Sequence, residues 1–423
     1  MALGIAEELI ANGIFPEIIE ASNELLGLAG TFNYKDFKVE KFYHFFYKND
    51  HLNSLRWLKK NSCDKVEIEW KDISSDTIAS GKNYDFDSIF SIVSLSGRNF
   101  LKVFYILTKL LFFKPSEILD QKSAIDWSNQ TFGKKFSKEV WIPLIEQKFG
   151  NNAKEISAYW LATRIKRHLS TKGRGIGKSK FGYLIDTYKP YVVNFEKKLL
   201  SGGGKIHYKN PVIKFESEGN NITKIVTSQK TIFSENSIIF SSLPLANLRS
   251  LLPNNSLDSN WNKFKNISVV VCILFLDKKI SKNYWTTVSD KDFPFSAIIQ
   301  QNRLYSKSQD EIVYLSRYCE ENDQVMNLSD EDIFQSWSEK LFSVYGHLNF
   351  KNIKDYKIIR AKNAAPVPYI GIMKNLKKLN LKFNNFLFSG YENVLPEDRG
   401  VGNSIKLGRE LAKSYLNVSK KNY

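Results

Sequence analysis

The sequence is poor in sulfur. Its three cysteines, Cys63, Cys272 and Cys319, are far apart in 423 residues. An odd, scattered set of this kind neither frames a disulfide scaffold nor gives metal-ligand spacing. The five histidines, His44, His51, His168, His207 and His347, show no metal spacing either. No apolar run reaches the roughly 20 residues of a membrane span, and the longest, Val103 to Phe113, is broken by Thr108 and Lys109. A Gly-x-Ser-x-Gly elbow is missing, which removes one common hydrolase arrangement. The stretch Gly173 to Ser179 invites comparison with a phosphate loop, yet that motif's leading glycine falls on Lys172 and the preceding pattern is helical. Met1 runs directly into an amphipathic segment carrying Glu7 and Glu8, unlike a secretory leader. A reduced, cytoplasmic compartment is the expectation.

What is present is a large, aromatic, basic chain. Hydrophobic residues make up 43% and aromatic residues 14% of it, enough for a sizeable core and two domains. The net charge of +17 comes from 61 Lys and Arg against 44 Asp and Glu. These cations are scattered and no nucleic-acid reading motif accompanies them, so a nucleic-acid partner is not expected.

Along the chain the pattern alternates. Residues 2–10 have helical spacing, Asn12-Gly13 ends the helix, and Phe15 to Glu20 reads as a short strand. Residues 37–46 read as a loop with strand character and His51 to Lys60 as a helix. Short strands are expected over 65–90, then a helical insertion over about 87–170. Its Phe100 to Phe113 helix is read as part of the insertion's core, with peripheral contact to an anionic membrane surface as the other reading. Residues 170–180 form a basic loop that includes Arg174. A helix over 188–200, strands over 205–215, a hairpin over 222–233 and a buried strand over 237–242 follow. Antiparallel strands are expected over 267–320, a helix from Ser329 to about Tyr345, a strand near 357–360, another over 385–390 and a helix from Asn403 or Ser404. This order fits a nucleotide-binding α/β domain interrupted by a substrate domain.

Two stretches carry chemistry. Glu20 ends a strand that follows the Ala2 helix, the place from which a carboxylate can accept hydrogen bonds from a ribose diol. Ala2 and Leu3 would sit at a helix start, where free amides and the helix dipole hold a pyrophosphate. A first strand and two glycines would then be expected ahead of Met1. Near the other end, a buried strand reaches Gly390. A loop of Pro396-Glu397-Asp398-Arg399-Gly400-Val401-Gly402 leads from it to a helix near Asn403 and Ser404. That helix start can stabilise negative charge on a ring or phosphate. Asp398 and Arg399 are equally readable as a surface ion pair.

These stretches, with Asn210-Pro211-Val212, Ser237 to Pro244 and Phe386 to Ala412, resemble the FAD-dependent amine oxidase and protoporphyrinogen oxidase-like flavoproteins. Phytoene desaturases and UDP-galactopyranose mutases are relatives of that family. The resemblance implies an α/β (α+β) fold: a Rossmann-like FAD-binding domain, discontinuous in sequence (1–60, 190–260, 376–423), and a mixed substrate domain (61–189 and 261–375). It implies FAD as cofactor and hydride transfer from a small-molecule substrate to the flavin. By that resemblance Ala2, Leu3, Glu20, Gly27, Gly30, Val212, Gly390, Gly400, Val401, Asn403 and Ser404 would bind the cofactor. His44 would face the flavin as the candidate catalytic residue, and Arg164, Arg167 and Arg174 would meet substrate. A sugar-nucleotide mutase-like enzyme and a truncated, non-catalytic paralogue stand as the other readings.

Overall fold

The computed structural model describes residues 1–47, 51–79, 81–85, 100–171, 178–234, 236–253 and 256–419. Arg174 and the start of the expected insertion, 87–99, lie outside these.

The chain begins with helix α1 (Ala2–Ile10), strand β1 (Glu17–Ile19), a hairpin of β2 (Thr31–Tyr34) and β3 (Phe37–Glu40), strand β4 (Phe46–Tyr47) and helix α2 (His51–Lys60). Strands β5 (Ile68–Ile73), β6 (Ser75–Ala79) and β7 (Lys82–Asp85) follow. The insertion holds α3 (Phe100–Phe112), α4 (Ala124–Phe132), α5 (Ile142–Phe149) and α6 (Ala158–Ser170). Next come β8 (Ser179–Leu184), α7 (Lys189–Ser201), β9 (Lys205–His207), β10 (Val212–Glu218), β11 (Asn221–Thr227), β12 (Thr231–Phe233), β13 (Ile239–Ser241) and α8 (Leu245–Leu251). The last part contains β14 (Asn266–Leu276), β15 (Trp285–Val288), β16 (Ala297–Gln300), β17 (Glu311–Cys319), α9 (Asp330–Val344), β18 (Ile353–Pro366), α10 (Ile372–Lys378), β19 (Phe386–Phe388) and α11 (Val401–Ser419).

A seven-stranded sheet of order β18-β14-β17-β16-β15-β6-β7 forms one half of the molecule. Strand β14 reads Asn-Ile-Ser-Val-Val-Val-Cys-Ile-Leu-Phe-Leu and is buried after its first residue. Such a run, apolar on both faces, suits a central strand covered on both sides. Tyr34 of β2 stacks on Phe275 at a centroid separation of 3.6 Å, and Val39 shares a core cluster with Val269 and Val271. Residues 31–40, expected as part of the first nucleotide segment, therefore pack on this sheet. Residues 37–46, expected as a loop with strand character, supply β3 and reach β4, and the strand expected near 357–360 extends over 353–366.

The other half contains two short parallel pairs. β1 pairs with β9 and β13 with β19. No ladder joins the two pairs among the described residues. In the insertion, α3 buries Val103, Leu107 and Leu110 while Phe100, Leu101, Phe104, Tyr105 and Phe112 stay exposed. Among the described residues no helix is long and apolar enough to cross a membrane.

Two contacts fix this half. The first is the crossing of α1 and α11. A Cβ on Gly4 would lie 2.2 Å from the Ile405 carbonyl oxygen, and one on Gly408 would lie 2.2 Å from that of Met1. Both positions meet main chain, so neither can carry a side chain without moving a helix. Ile5, Leu9, Ala412 and Leu416 bury the seam, and Glu7 pairs with Arg409 beside it. The second contact links the turns after β13 and β19. Glu392, 1% exposed, accepts a hydrogen bond from the Leu245 amide at 3.0 Å through Oε1. Burial raises this carboxyl from 4.5 to about 7, outweighing the hydrogen bonds that lower it.

Alanine at Gly4 or Gly408 improves helix propensity by roughly 1 kcal/mol, yet overpacking costs about 1–3 kcal/mol. Each variant is expected to unfold at lower urea concentration than the parent; equal or higher stability would contradict the crossing. For Glu392, the folded state holds its proton to higher pH than the unfolded chain does. Its stabilising contribution, full below about pH 4.5, is lost as pH rises to about 7, by up to about 3 kcal/mol. Chemical denaturation at about pH 5 and about pH 8 should show this loss in the parent and a flatter profile in Glu392→Gln; parallel profiles would contradict it.

Candidate functional site

Strands β1 and β13, α1, the start of α11 and residues of α5 and α6 in the insertion line a cavity of about 1360 Å³. Small-molecule sites commonly occupy roughly 300–1,000 Å³, so this one has room for a large cofactor together with a substrate. One end is formed by Met1, Ala2 and Leu3 at the start of α1 and by Glu17 to Glu20. The other is formed by Lys148, Trp160, Arg164 and Arg167 from the insertion. The loop and helix start from Asp398 to Ser404 line it as well, and Val212 joins the Glu20 side, where the Asn210 amide donates to the Glu20 carbonyl at 3.0 Å.

Most residues singled out from the sequence meet here. Ala2, Leu3, Glu20, Gly27, Val212, Gly400, Val401, Asn403, Ser404, His44, Arg164 and Arg167 all line the cavity. Glu20 is oriented by its own turn, with Oε1 accepting from the Ser22 amide at 2.7 Å. Gly27 has a φ of 50°, the left-handed region in which glycine carries no steric cost. Helix α11 begins at Val401, ahead of the expected start at Asn403 or Ser404. Nothing lies within 4 Å of the position a Gly400 Cβ would take, so this glycine opens directly on the cavity.

Gly30 and Gly390 do not line it. A Cβ on Gly30 would meet Glu24 Oε1 at 3.2 Å, and one on Gly390 would lie 2.1 Å from Glu392 Oε2. Both glycines make room for a neighbouring carboxylate. His44 faces the cavity with Nδ1 3.4 Å from Glu40 Oε1, and its ring meets Tyr188 edge-on.

The insertion end is an electrostatic centre. Asp398, expected as half of a surface pair with Arg399, instead points at Arg164 and Arg167, both 3.1 Å away, and at Lys148, 3.9 Å away. Burial would raise the Asp398 carboxyl, but Lys148, Arg164 and Arg167 outweigh it and hold the carboxyl well below the usual range. Burial pushes the Lys148 ammonium down to about 7. Asp398 opposes that shift, whereas Arg164, Arg399 and Arg167 reinforce it. The Lys148 ammonium also lies over the rings of Trp160 and Tyr318, 4.9 and 5.3 Å from their centroids. Arg167 lies 4.1 Å from the centroid of the Tyr47 ring. Arg164 and Arg167, expected to meet substrate, share a helix face at i, i+3. Lys148 and Asp398, far apart in the sequence, carry no such signal.

The residues present suit a dinucleotide cofactor. Two helix starts, Ala2 of α1 and Val401 of α11, open on one cavity, and each offers amides and a positive dipole end to an anion. The carboxylate of Glu20 stands beside the first start. The buried Nδ2 of Asn210 and Nη1 of Arg399 line the same space without hydrogen-bond partners among the described residues; groups so placed call for a polar ligand. Glu20 and the start of α1 would hold a nucleotide half. Gly400 to Ser404 would hold the other half.

The sequence profile of the flavin containing amine oxidoreductase family matches residues 3–362. No curated protein sequence matches the chain. Among solved structures, a candidate protoporphyrinogen oxidase from Exiguobacterium sp. 255-15 superposes with a TM-score of 0.75 at 13% identity, covering 98% of this chain and 95% of that one. A reduced UDP-galactopyranose mutase gives 0.75 at 14%, covering 98% and 93%. Cyclohexylamine oxidase from Brevibacterium oxydans IH-35A gives 0.71 at 10%, covering 99% and 97%. At such identities the structural likeness shows the shared fold. Together with the profile match over most of its length, it establishes that the chain belongs to the flavin containing amine oxidoreductase family, as an FAD-dependent oxidoreductase.

Proposed function

We propose that the chain oxidises a small organic substrate at a carbon–nitrogen or carbon–carbon single bond, with the electrons leaving as hydride. The observation that carries this reading is the convergence of two helix starts and Glu20 on one cavity that continues into an aromatic, cationic chamber. Bound there, FAD supplies the two-electron acceptor. The family's description as an amine oxidoreductase supports net redox turnover over a sugar-nucleotide rearrangement.

The chain's own residues have separable parts in this reading. Glu20 and the start of α1 anchor the adenosine end. The start of α11 would offer the cofactor free amides and a positive dipole end, which favour a negatively charged reduced form. Tyr43, buried by its neighbours so that its hydroxyl stays protonated, forms part of the wall between the helix start and the insertion. His44, whose Nδ1 lies 3.4 Å from Glu40 Oε1, is the candidate to carry a proton at the cavity wall.

Two measurements test this. Glu20→Gln is expected to weaken FAD about tenfold to hundredfold in a fluorescence titration. It should leave FMN, which has no adenosine ribose, unchanged; equal effects on both would remove Glu20 from the adenosine end. Anaerobic mixing of the holoprotein with primary amines and with cyclic alkenes should bleach the visible flavin band with one substrate class. Bleaching by neither, while dithionite bleaches it fully, would count against substrate oxidation at these bonds.

A further inference from the structure

The charge at the insertion end of the cavity is unbalanced. Lys148 of α5 and Arg164 and Arg167 of α6 share one carboxylate, Asp398, within 4 Å, and Arg399 of the loop before α11 adds a fourth positive charge that acts on Lys148. With Lys148 protonated, four positive groups face one negative group. Among the described residues, Glu397 acts on Lys166 and Glu17 pairs with His207.

The cations repel one another. Arg164, Arg399 and Arg167 all disfavour the charged form of Lys148. Side chains held this way, 14–33% exposed and open to a cavity, gain when an anion joins them, because partial desolvation strengthens each charge-assisted hydrogen bond. Arg399 shows where such a group would fit. Its Nη2 donates to the Tyr318 hydroxyl at 3.2 Å, whereas its Nη1 is buried with no hydrogen-bond partner among the described residues. The three insertion cations reach the cavity from a different wall than the nucleotide-binding elements do. Lys148, Arg164 and Arg167 come from the insertion, whereas Glu20 and the two helix starts come from β1, α1 and α11. Around them stand the rings of Tyr47, Trp160 and Tyr318, which offer flat apolar faces beside the charge.

We propose that this end of the cavity is a substrate subsite for an anionic group, a carboxylate or a phosphate attached to an apolar or aromatic body. Arg399 Nη1 and the Lys148, Arg164 and Arg167 side chains take the anion, and Asp398 holds the three insertion cations in place for it. This subsite rests on the oxidoreductase reading above for its role in turnover; its anion preference can be measured separately.

The test uses the holoprotein and three probes of one shape: benzoate, phenyl phosphate and neutral benzamide. Isothermal titration gives each affinity, and the visible band gives flavin content. At least one anion should bind tenfold or more tightly than benzamide, and the better of the two tells carboxylate from phosphate. Arg164→Gln and Arg167→Gln should each weaken that anion about tenfold, leave benzamide within twofold and keep the flavin content; Arg167→Lys should recover part of the loss. Equal affinity for all three probes would overturn the subsite. So would an anion preference that survives both glutamine variants. Loss of flavin from both variants would assign the cluster to the cofactor and overturn it too. Protein that carries no flavin but prefers the anions through these arginines would keep the subsite and refute the oxidoreductase reading instead.

Discussion

The crossing of α1 and α11 sets the geometry on which the cavity depends. Two helices approach closely enough for main chain to touch main chain only where one of them has no side chain. Gly4 and Gly408 provide that gap in both directions, each facing the other helix's carbonyl oxygens. The consequence reaches beyond packing. With the helices locked together, the start of α1 and the start of α11 are held open on the same space although they belong to opposite ends of the sequence. Each start brings a positive dipole end and free amides. A cofactor with a charged middle and a ring that gains electrons can use both.

A second constraint joins this half to the insertion. Asp398 belongs to the loop that leads into α11, yet its partners Lys148, Arg164 and Arg167 stand on α5 and α6. Partly buried ion pairs of this kind are costly to break, because a charge is then left without compensation in a poorly hydrated place. The carboxylate therefore fixes the chamber wall relative to the helix start beneath it. The seven-stranded sheet brings Tyr318 of β17 to the cavity wall, and Tyr43, from the segment between β3 and β4, packs edge-on against its Trp285 and Tyr314. Its central strand, β14, is long, apolar and covered on both faces, which gives the site a rigid backing.

Much of this organisation is legible in the residues. The Phe15 to Glu20 strand, the strand expected over 385–390 and the helix after Gly400 announce themselves through apolar runs bounded by glycine and a terminal carboxylate. The periodicity of the insertion is equally plain. The hairpin at 31–40 is less so: Phe32, Tyr34, Phe37 and Val39 do not alternate cleanly between buried and exposed positions, and half-buried aromatic residues blur a period-two signal. Gly4 and Gly408 stay hidden for another reason. Inside a helix, glycine reads as a propensity cost, and only the facing carbonyl reveals its use. Asp398 is open to reading as a surface charge because its partners stand far earlier in the chain, on the insertion. Gly30 and Gly390 stand where the resemblance places cofactor contacts, yet each accommodates a glutamate side chain. Distant pairing of this kind is decided by packing, and no local pattern encodes it.

The seat proposed for FAD is the cavity built by two crossing helices and walled by the insertion. The most direct measurement of this is the FAD content of the purified protein, read from the visible spectrum and from flavin released on denaturation, in the parent and in Gly408→Ala. An equimolar complement of FAD is predicted in the parent and a reduced one in the variant. A parent that takes up no FAD even after incubation with an excess would contradict it.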